Sequence, residues 1–190
     1  MYEVEVKARL KNREEVVKKL EVLGCKFSEE LHQIDTIFAP KGTAYPLFPL
    51  GAPAIRVRKQ NEKYFFTLKI PQGSRQDSLE RELEIKDGEM MIDILRLLKY
   101  QEVPTVDKKR IKTKHEDMEI VLDTVKDLGE FIEAEKIVES QDLADRKNTQ
   151  EELFKFLETL GIKKEDRIID GKYDIMLFEK LKDKTQGNPV

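Results

Sequence analysis

The chain has 190 residues, of which 38% are charged, and a formal net charge of −3. That is long enough for one domain with a real core, and bulk charge gives no reason to expect nucleic-acid binding, so any anion site must come from local clustering. Cys25 is the only cysteine, which excludes an intrachain disulfide framework, no apolar run reaches the length of a membrane span, and the N-terminus lacks a signal-peptide core; a soluble, cytoplasmic protein is expected.

The first element reads as a strand over residues 2–9. Its side chains alternate between two faces, so Glu3, Glu5 and Lys7 share one and Tyr2, Val4, Val6 and Ala8 the other. An antiparallel strand with one wet face has the same pattern. Two carboxylates and an amine on one face also suit a hard metal beside a phosphate. Asn12, with Glu15 three residues on, opens a helix that stops at Gly24. A strand follows near 33–39, then a loop over 40–53 rich in Pro and Gly yet carrying Tyr45, Leu47, Phe48 and Leu50.

Strands are expected at 54–60 and 63–70, joined by a turn at Asn61-Glu62, and at 79–86 after a polar loop with Gly73 and Ser74. A helix is expected at 89–100, then strands near 106–113, 118–125 and 130–138. Thr149-Gln150-Glu151-Glu152 has the spacing of a capping box, so the next helix is placed from there to Gly161. That helix echoes the first one, and each follows a strand with a Glu-x-Glu pair, Glu3/Glu5 and Glu133/Glu135. Two similar halves of one barrel would explain the echo. The last segment, 167–178, contains Tyr173, and residues 179–190 are expected to be a polar, frayed tail.

Parity sorts the later charges. Arg56 and Arg58 share a face; so do Thr67 and Lys69; so do Glu80, Glu82 and Glu84. Lys108, Arg110 and Lys112 share another, Asp123 lies with Glu119, and Glu133 lies with Glu135. An ordinary solvent face mixes signs to form cross-strand pairs. Here whole strands carry nearly one sign, which suggests cargo of the opposite sign inside a closed sheet. Oxygen donors without His or Cys favour Mg2+ or Mn2+. His32 and His115 stand alone, and no Ser-His-Asp set, Cys-x-x-Cys or Walker loop occurs.

The order of these motifs resembles the CYTH domain family, the triphosphate tunnel metalloenzymes. The resemblance rests on Glu3-x-Glu5-x-Lys7, Arg56-x-Arg58, Lys69, Glu82-x-Glu84, Lys108-x-Arg110, Asp123, Gly129 and Glu133, and covers residues 1–178. It is nearest the class IV adenylyl cyclase branch, through His32-Gln33-Ile34-Asp35-Thr36-Ile37-Phe38 and Leu128-Gly129-Glu130-Phe131-Ile132-Glu133. It implies an α+β fold, a closed eight-stranded antiparallel β-barrel with helices packed outside. In such a tunnel Lys7, Arg56, Arg58, Lys69, Lys108 and Arg110 would grip a triphosphate, with Lys7, Lys69 and Arg110 nearest the chemistry. Glu3, Glu5, Glu82, Glu84, Asp123, Glu133 and Glu135 would supply the metal ligands.

The resemblance implies a divalent-metal-dependent enzyme, first of all one that converts ATP to cyclic AMP and pyrophosphate. Hydrolysis of tripolyphosphate, a nucleoside triphosphate or thiamine triphosphate is the alternative, and a non-catalytic nucleotide binder the third reading. No nucleic-acid or membrane partner is expected, while the barrel exterior and the apolar loop leave room for a homodimer. Two positions depart from the family pattern: Glu80, where tripolyphosphatases often carry Arg, and Lys172-Tyr173, where the family has Ser-Tyr.

Overall fold

A computed structural model describes residues 2–42, 45–46, 49–169 and 171–186. Leu47 and Phe48 lie outside these. The chain runs β1 (Tyr2–Arg9), α1 (Arg13–Val22), β2 (Leu31–Ala39), β3 (Ala54–Gln60), β4 (Lys63–Ser74) and β5 (Asp77–Ile85). It continues α2 (Gly88–Leu97), β6 (Gln101–Glu102), β7 (Val106–His115), β8 (Met118–Val125), β9 (Gly129–Val138), α3 (Leu143–Thr159), β10 (Arg167–Ile168) and α4 (Tyr173–Gln186). No helix among the described residues is long and apolar enough to cross a membrane.

Eight strands pair antiparallel in the order β1-β5-β4-β3-β2-β7-β8-β9, and β9 returns to β1 to close the barrel. The expected closed eight-stranded barrel is therefore present. The two-residue strands β6 and β10 add to β2 and β1 from outside this ring.

β1 is the seam. One edge pairs with β9 from Tyr2↔Val138 to Arg9↔Phe131. The other pairs with β5 only from Tyr2 to Val4, and with β10 at Lys7 and Ala8. Between these, the Glu5 N–H donates to the Gln76 carbonyl at 2.9 Å. The departure of β5 and arrival of β10 bring the start of α4 to the strand that carries Glu3, Glu5 and Lys7.

Alternation divides each strand between two environments. The outward side chains Val4, Val6, Ala8, Ile120, Leu122, Ile132 and Ala134 are buried under α1 and α3, through Val16, Leu20, Leu153, Leu157 and Leu160. The two helices that echo each other in sequence thus share one apolar cluster. A second cluster seats α2, with Ile92 and Leu95 against Phe38, Ile55 and Val57. A third joins Val106, Val125 and Phe131 to Tyr173 and Leu177 of α4. These three strand residues have tunnel-facing parity, so α4 closes one end of the lumen.

Two boundaries differ from the sequence expectation. α3 starts six residues before Thr149, with Asp142 as the cap accepting from the Ala144 N–H at 2.7 Å. The early turns are held by Arg146, which is buried, pairs with Asp77 at 2.8 Å and lies 4.2 Å from the centre of the Tyr2 ring. Thr149 is interior to the helix and its hydroxyl donates to the Asp145 carbonyl, so tertiary contacts outweigh the local capping signal. At the other end, α4 continues past residue 178 to Gln186, through the start of the expected tail.

Gly88 opens α2 against the face of Tyr64, and a Cβ there would lie 2.0 Å from Tyr64 Cδ1. The Tyr64 ring is also tied by its hydroxyl to Glu89 at 3.2 Å. Gly88→Ala is expected to lower stability by about 1–3 kcal/mol through overpacking, measured as a fall in the urea midpoint at unchanged slope.

Candidate functional site: a charged tunnel

The lumen is one cavity with nine basic and eight acidic side chains in its lining. All of the expected substrate-binding cations reach it, and each meets a carboxylate. Arg58 donates to Asp35 through Nε at 2.6 Å and Nη2 at 2.9 Å. Arg110 donates in the same two-pronged way to Asp123, and its Nη2 also reaches Glu133 at 2.7 Å. Lys7 pairs with the other Glu133 oxygen at 3.0 Å. Lys108 lies 3.7 Å from both Asp35 and Asp123. Lys69 pairs with Glu3 at 2.6 Å and Glu80 at 2.7 Å, and Arg56 reaches Glu82 and Glu80.

Single-signed strands are therefore neighbours of strands of opposite sign, and the charges satisfy one another across the sheet. The sequence reading looked chiefly to cargo of the opposite sign for that task and kept cross-strand pairing open for Glu80, Glu119 and Lys112. It lacked the strand order, which sets β3 beside β2 and β7 beside β8.

Titration follows from this lattice. Burial works against the Asp35 carboxylate, yet the charges of Arg58, Lys108 and Arg56 overcome it and hold its pKa well below the usual carboxylate range. Burial opposes ionised Glu133 too, and Lys7 and Arg110 win, keeping it well below its ordinary value. For Lys108 burial and the neighbouring Arg110 charge act together and push it down to about 8. Lys7 is buried, but Glu133 and Glu5 more than compensate and raise its pKa, so it stays an ammonium.

The carboxylates fall into two groups. Asp35, Asp123 and Glu133 are buried and serve as counter-ions to the bases. Asp123 sits behind the lining and also accepts from the Tyr173 hydroxyl at 3.1 Å. Glu82 lines the cavity and accepts from Thr67 and Arg56. Glu84 does not line it; that side chain is exposed and paired with Lys63. The second group is Glu3, Glu5 and Glu135, whose oxygens all come within 4.8 Å of one another. Register explains the meeting, since Glu5 pairs directly with Glu135 across β1 and β9. Burial and the charges of Glu3, Glu133 and Glu5 push the Glu135 carboxyl up to about 8. Glu135 thus resists ionising beside its acidic neighbours, and the all-oxygen donors of the three residues fit a hard divalent ion.

Sequence reasoning missed several lining residues. Asp35 stood in the motif of β2 but was given no role, and its face is shown only by pairing with Arg58. Asp174 and Ile175 enter from the first turn of α4, which no strand periodicity could place, together with Lys172 and Tyr173, which the sequence had marked only as the counterpart of the family's Ser-Tyr. The Tyr173 ring lies under Lys7, whose Nζ is 3.8 Å from the ring centre. Phe38 of the β2 motif is wholly buried in the α2 cluster, while Leu50 of the loop reaches the cavity.

The CYTH domain family model matches residues 1–171. The chain belongs to the CYTH domain family. Among its relatives is a protein of Methanocaldococcus jannaschii named "Putative adenylate cyclase", 34% identical over 175 residues, which are 91% of this chain and 97% of the relative. A solved structure of a Pyrococcus horikoshii protein is 29% identical with a TM-score of 0.75, covering 92% of this chain and 98% of the other. Another, from Hippeastrum, is described as a "putative adenylyl cyclase" with a dominant triphosphatase activity. It shares the fold at 20% identity and a TM-score of 0.59, over 95% of this chain and 96% of its own.

The Asp35 contribution has a definite sign. Its folded pKa lies below the unfolded value, so the stability it adds is present above about pH 4 and is lost as pH falls further. Asp35→Asn leaves Arg58 without its counter-ion and is expected to cost about 3 kcal/mol at neutral pH. Urea denaturation of both proteins checks this, with the gap narrowing below about pH 4 as the carboxylate of the unfolded chain takes up its proton while the native one stays ionised.

Proposed function

We propose that this CYTH protein is a divalent-metal-dependent enzyme that cleaves a nucleoside triphosphate in the tunnel, with ATP cyclisation to cyclic AMP and pyrophosphate as its reaction. The supporting observation is the charge balance of the cavity. Its surplus of one basic side chain falls well short of neutralising a triphosphate, and divalent ions at the acidic cluster make up the difference. Glu3, Glu5 and Glu135 would hold them. An ion there supplies charge neutralisation at phosphoryl oxygens and lowers the pKa of the attacking hydroxyl.

The remaining work falls to the protein's own groups. Arg58, Arg110 and Lys108 are fixed in place by Asp35, Asp123 and Glu133, so their unused donors face the lumen without further ordering cost. Lys7, held between Glu133 and the Tyr173 ring, stays protonated and offers charge rather than a base. Lys69 and Arg56 can exchange Glu80 and Glu82 for phosphoryl oxygens, because both carboxylates remain partly open to water. Positioning and charge stabilisation then carry the rate.

A nucleotide is favoured over an inorganic chain because the cavity also has an apolar part. Ile37, Val106, Leu50 and Ile175 line it, and a tripolyphosphate has no use for such a wall. The Methanocaldococcus jannaschii relative's name agrees with cyclisation. The second reading is hydrolysis by the same grip, which the Hippeastrum neighbour's description favours.

Product analysis after incubation with ATP and Mn2+ decides between them. Cyclic AMP with pyrophosphate is expected; ADP with orthophosphate would establish hydrolysis instead, and no product would remove ATP as the substrate. Glu5→Gln is expected to abolish metal-dependent turnover and the stabilisation by added Mn2+ while keeping the fold. Unchanged activity would remove Glu5 from the metal site.

A further inference from the structure

α2 is apolar on two faces, and the barrel uses only one of them. Gly88, Ile92 and Leu95 recur at helical spacing and are buried. Ile92 and Leu95 pack on Phe38, Ile55 and Val57. Met90, Ile94, Leu97 and Leu98 recur at the same spacing on the outer face, where they are 56%, 41%, 68% and 64% exposed. Leu83 of β5 is exposed as well, and it pairs in register with Phe66, which packs against the α2 cluster. A single exposed leucine needs no explanation, but an apolar stripe along a whole helix marks a surface that another molecule covers.

The charges along the helix select the occupant. Its first half carries Glu89 and Asp93, and its end carries Arg96 and Lys99. Glu89 accepts from the Tyr64 hydroxyl, and Arg96 pairs with Glu102 of β6. Asp93 and Lys99 are exposed, and neither makes an ion pair among the described residues. An anionic lipid surface would repel the two carboxylates beside the stripe. A second copy of the same helix meets them with the opposite sign. When two such helices lie antiparallel about a two-fold axis, with Ile94 of each against Leu97 of the other, Asp93 of each stands level with Lys99 of the other. The two helix dipoles then oppose each other as well, and the patch is complementary to itself, as a two-fold interface requires.

We propose that the outer face of α2 is a self-association surface, on which a second copy of this chain seats its own α2 antiparallel, Ile94 against Leu97. The inference is independent of the reaction in the tunnel. The residues of the interface stand on the outside of the barrel, and none of them lines the lumen.

Sedimentation equilibrium of the full chain, from low micromolar concentration upward, tests it. The wild type is expected to be a reversible dimer. The double variant Ile94→Gln with Leu97→Gln keeps the charge and the helix propensity, and is expected to raise the dimer dissociation constant at least about tenfold. Asp93→Lys and Lys99→Glu are each expected to raise it about fivefold. An equimolar mixture of those two variants is expected to associate within about twofold of the wild type, because each changed charge then meets its complement. Far-UV circular dichroism is expected to be that of the wild type for all three, since every altered side chain is exposed.

A wild type that stays monomeric throughout overturns the proposal and leaves the face to a different protein. A dimer that the double Gln variant does not weaken overturns it too, and places the contact elsewhere, with the 40–53 loop the first place to look. Association lost in both charge variants and not recovered in their mixture overturns the antiparallel pairing of two copies.

Discussion

The structure depends on a lattice of ion pairs inside the barrel. Asp35 joins Arg58 of β3 to Lys108 of β7; Asp123 joins Lys108 to Arg110; Glu133 joins Arg110 to Lys7. Charges taken out of water cost several kcal/mol each unless they are paired and hydrogen-bonded. The lattice meets that cost by alternating sign between adjacent strands. It also fixes the guanidinium groups before any ligand arrives, so they need not be ordered at the moment of binding.

The same arrangement explains why the apolar core lies outside the barrel. A lumen filled with ion pairs contributes little hydrophobic stabilisation, so the outward faces of β1, β8 and β9 must supply it. They do so by burying Val4, Val6, Ile120, Leu122 and Ile132 beneath α1 and α3. One lumen end is the exception. There Phe131, Val106 and Val125 replace charge with apolar surface, and Tyr173 of α4 fills the space. Its ring meets Phe131 and the Lys7 ammonium, and its hydroxyl meets Asp123. Tyr173 thus belongs to the plug and to the charged wall at once.

The acidic residues divide by what surrounds them, not by type. Asp123 and Glu133 have two cations each within reach and act as counter-ions. Glu135, two residues from Glu133 on the same face, meets Glu3, Glu5 and Glu119 instead, and so resists ionising. One turn of strand pleat separates a carboxylate that anchors a base from one that needs a cation. That separation gives the tunnel an acidic side and a basic side.

The sequence by itself determined the strands and their inward faces, because alternation at period two is a local property that burial cannot reverse without exposing the core; the closed barrel was implied by the likeness of the motif order to the CYTH family, not by the alternation. The motif order along β1, β3, β7 and β9 was enough to gather Glu3, Glu5, Lys7, Arg56, Arg58, Lys108 and Arg110 on one surface. Only the tertiary structure decided which charges meet, since strand order and register are long-range facts. It set Asp35 on Arg58, engaged Asp123 with Arg110, turned Glu84 out to Lys63 and put Glu135 between Glu3 and Glu5. It also decided the helices: Arg146 on Asp77 extended α3 beyond its local cap signal, and the β5-to-β10 exchange along β1 carried Lys172 into the lumen. Such pairings join residues distant in the chain, and no local pattern encodes a partner that only the closed sheet brings near.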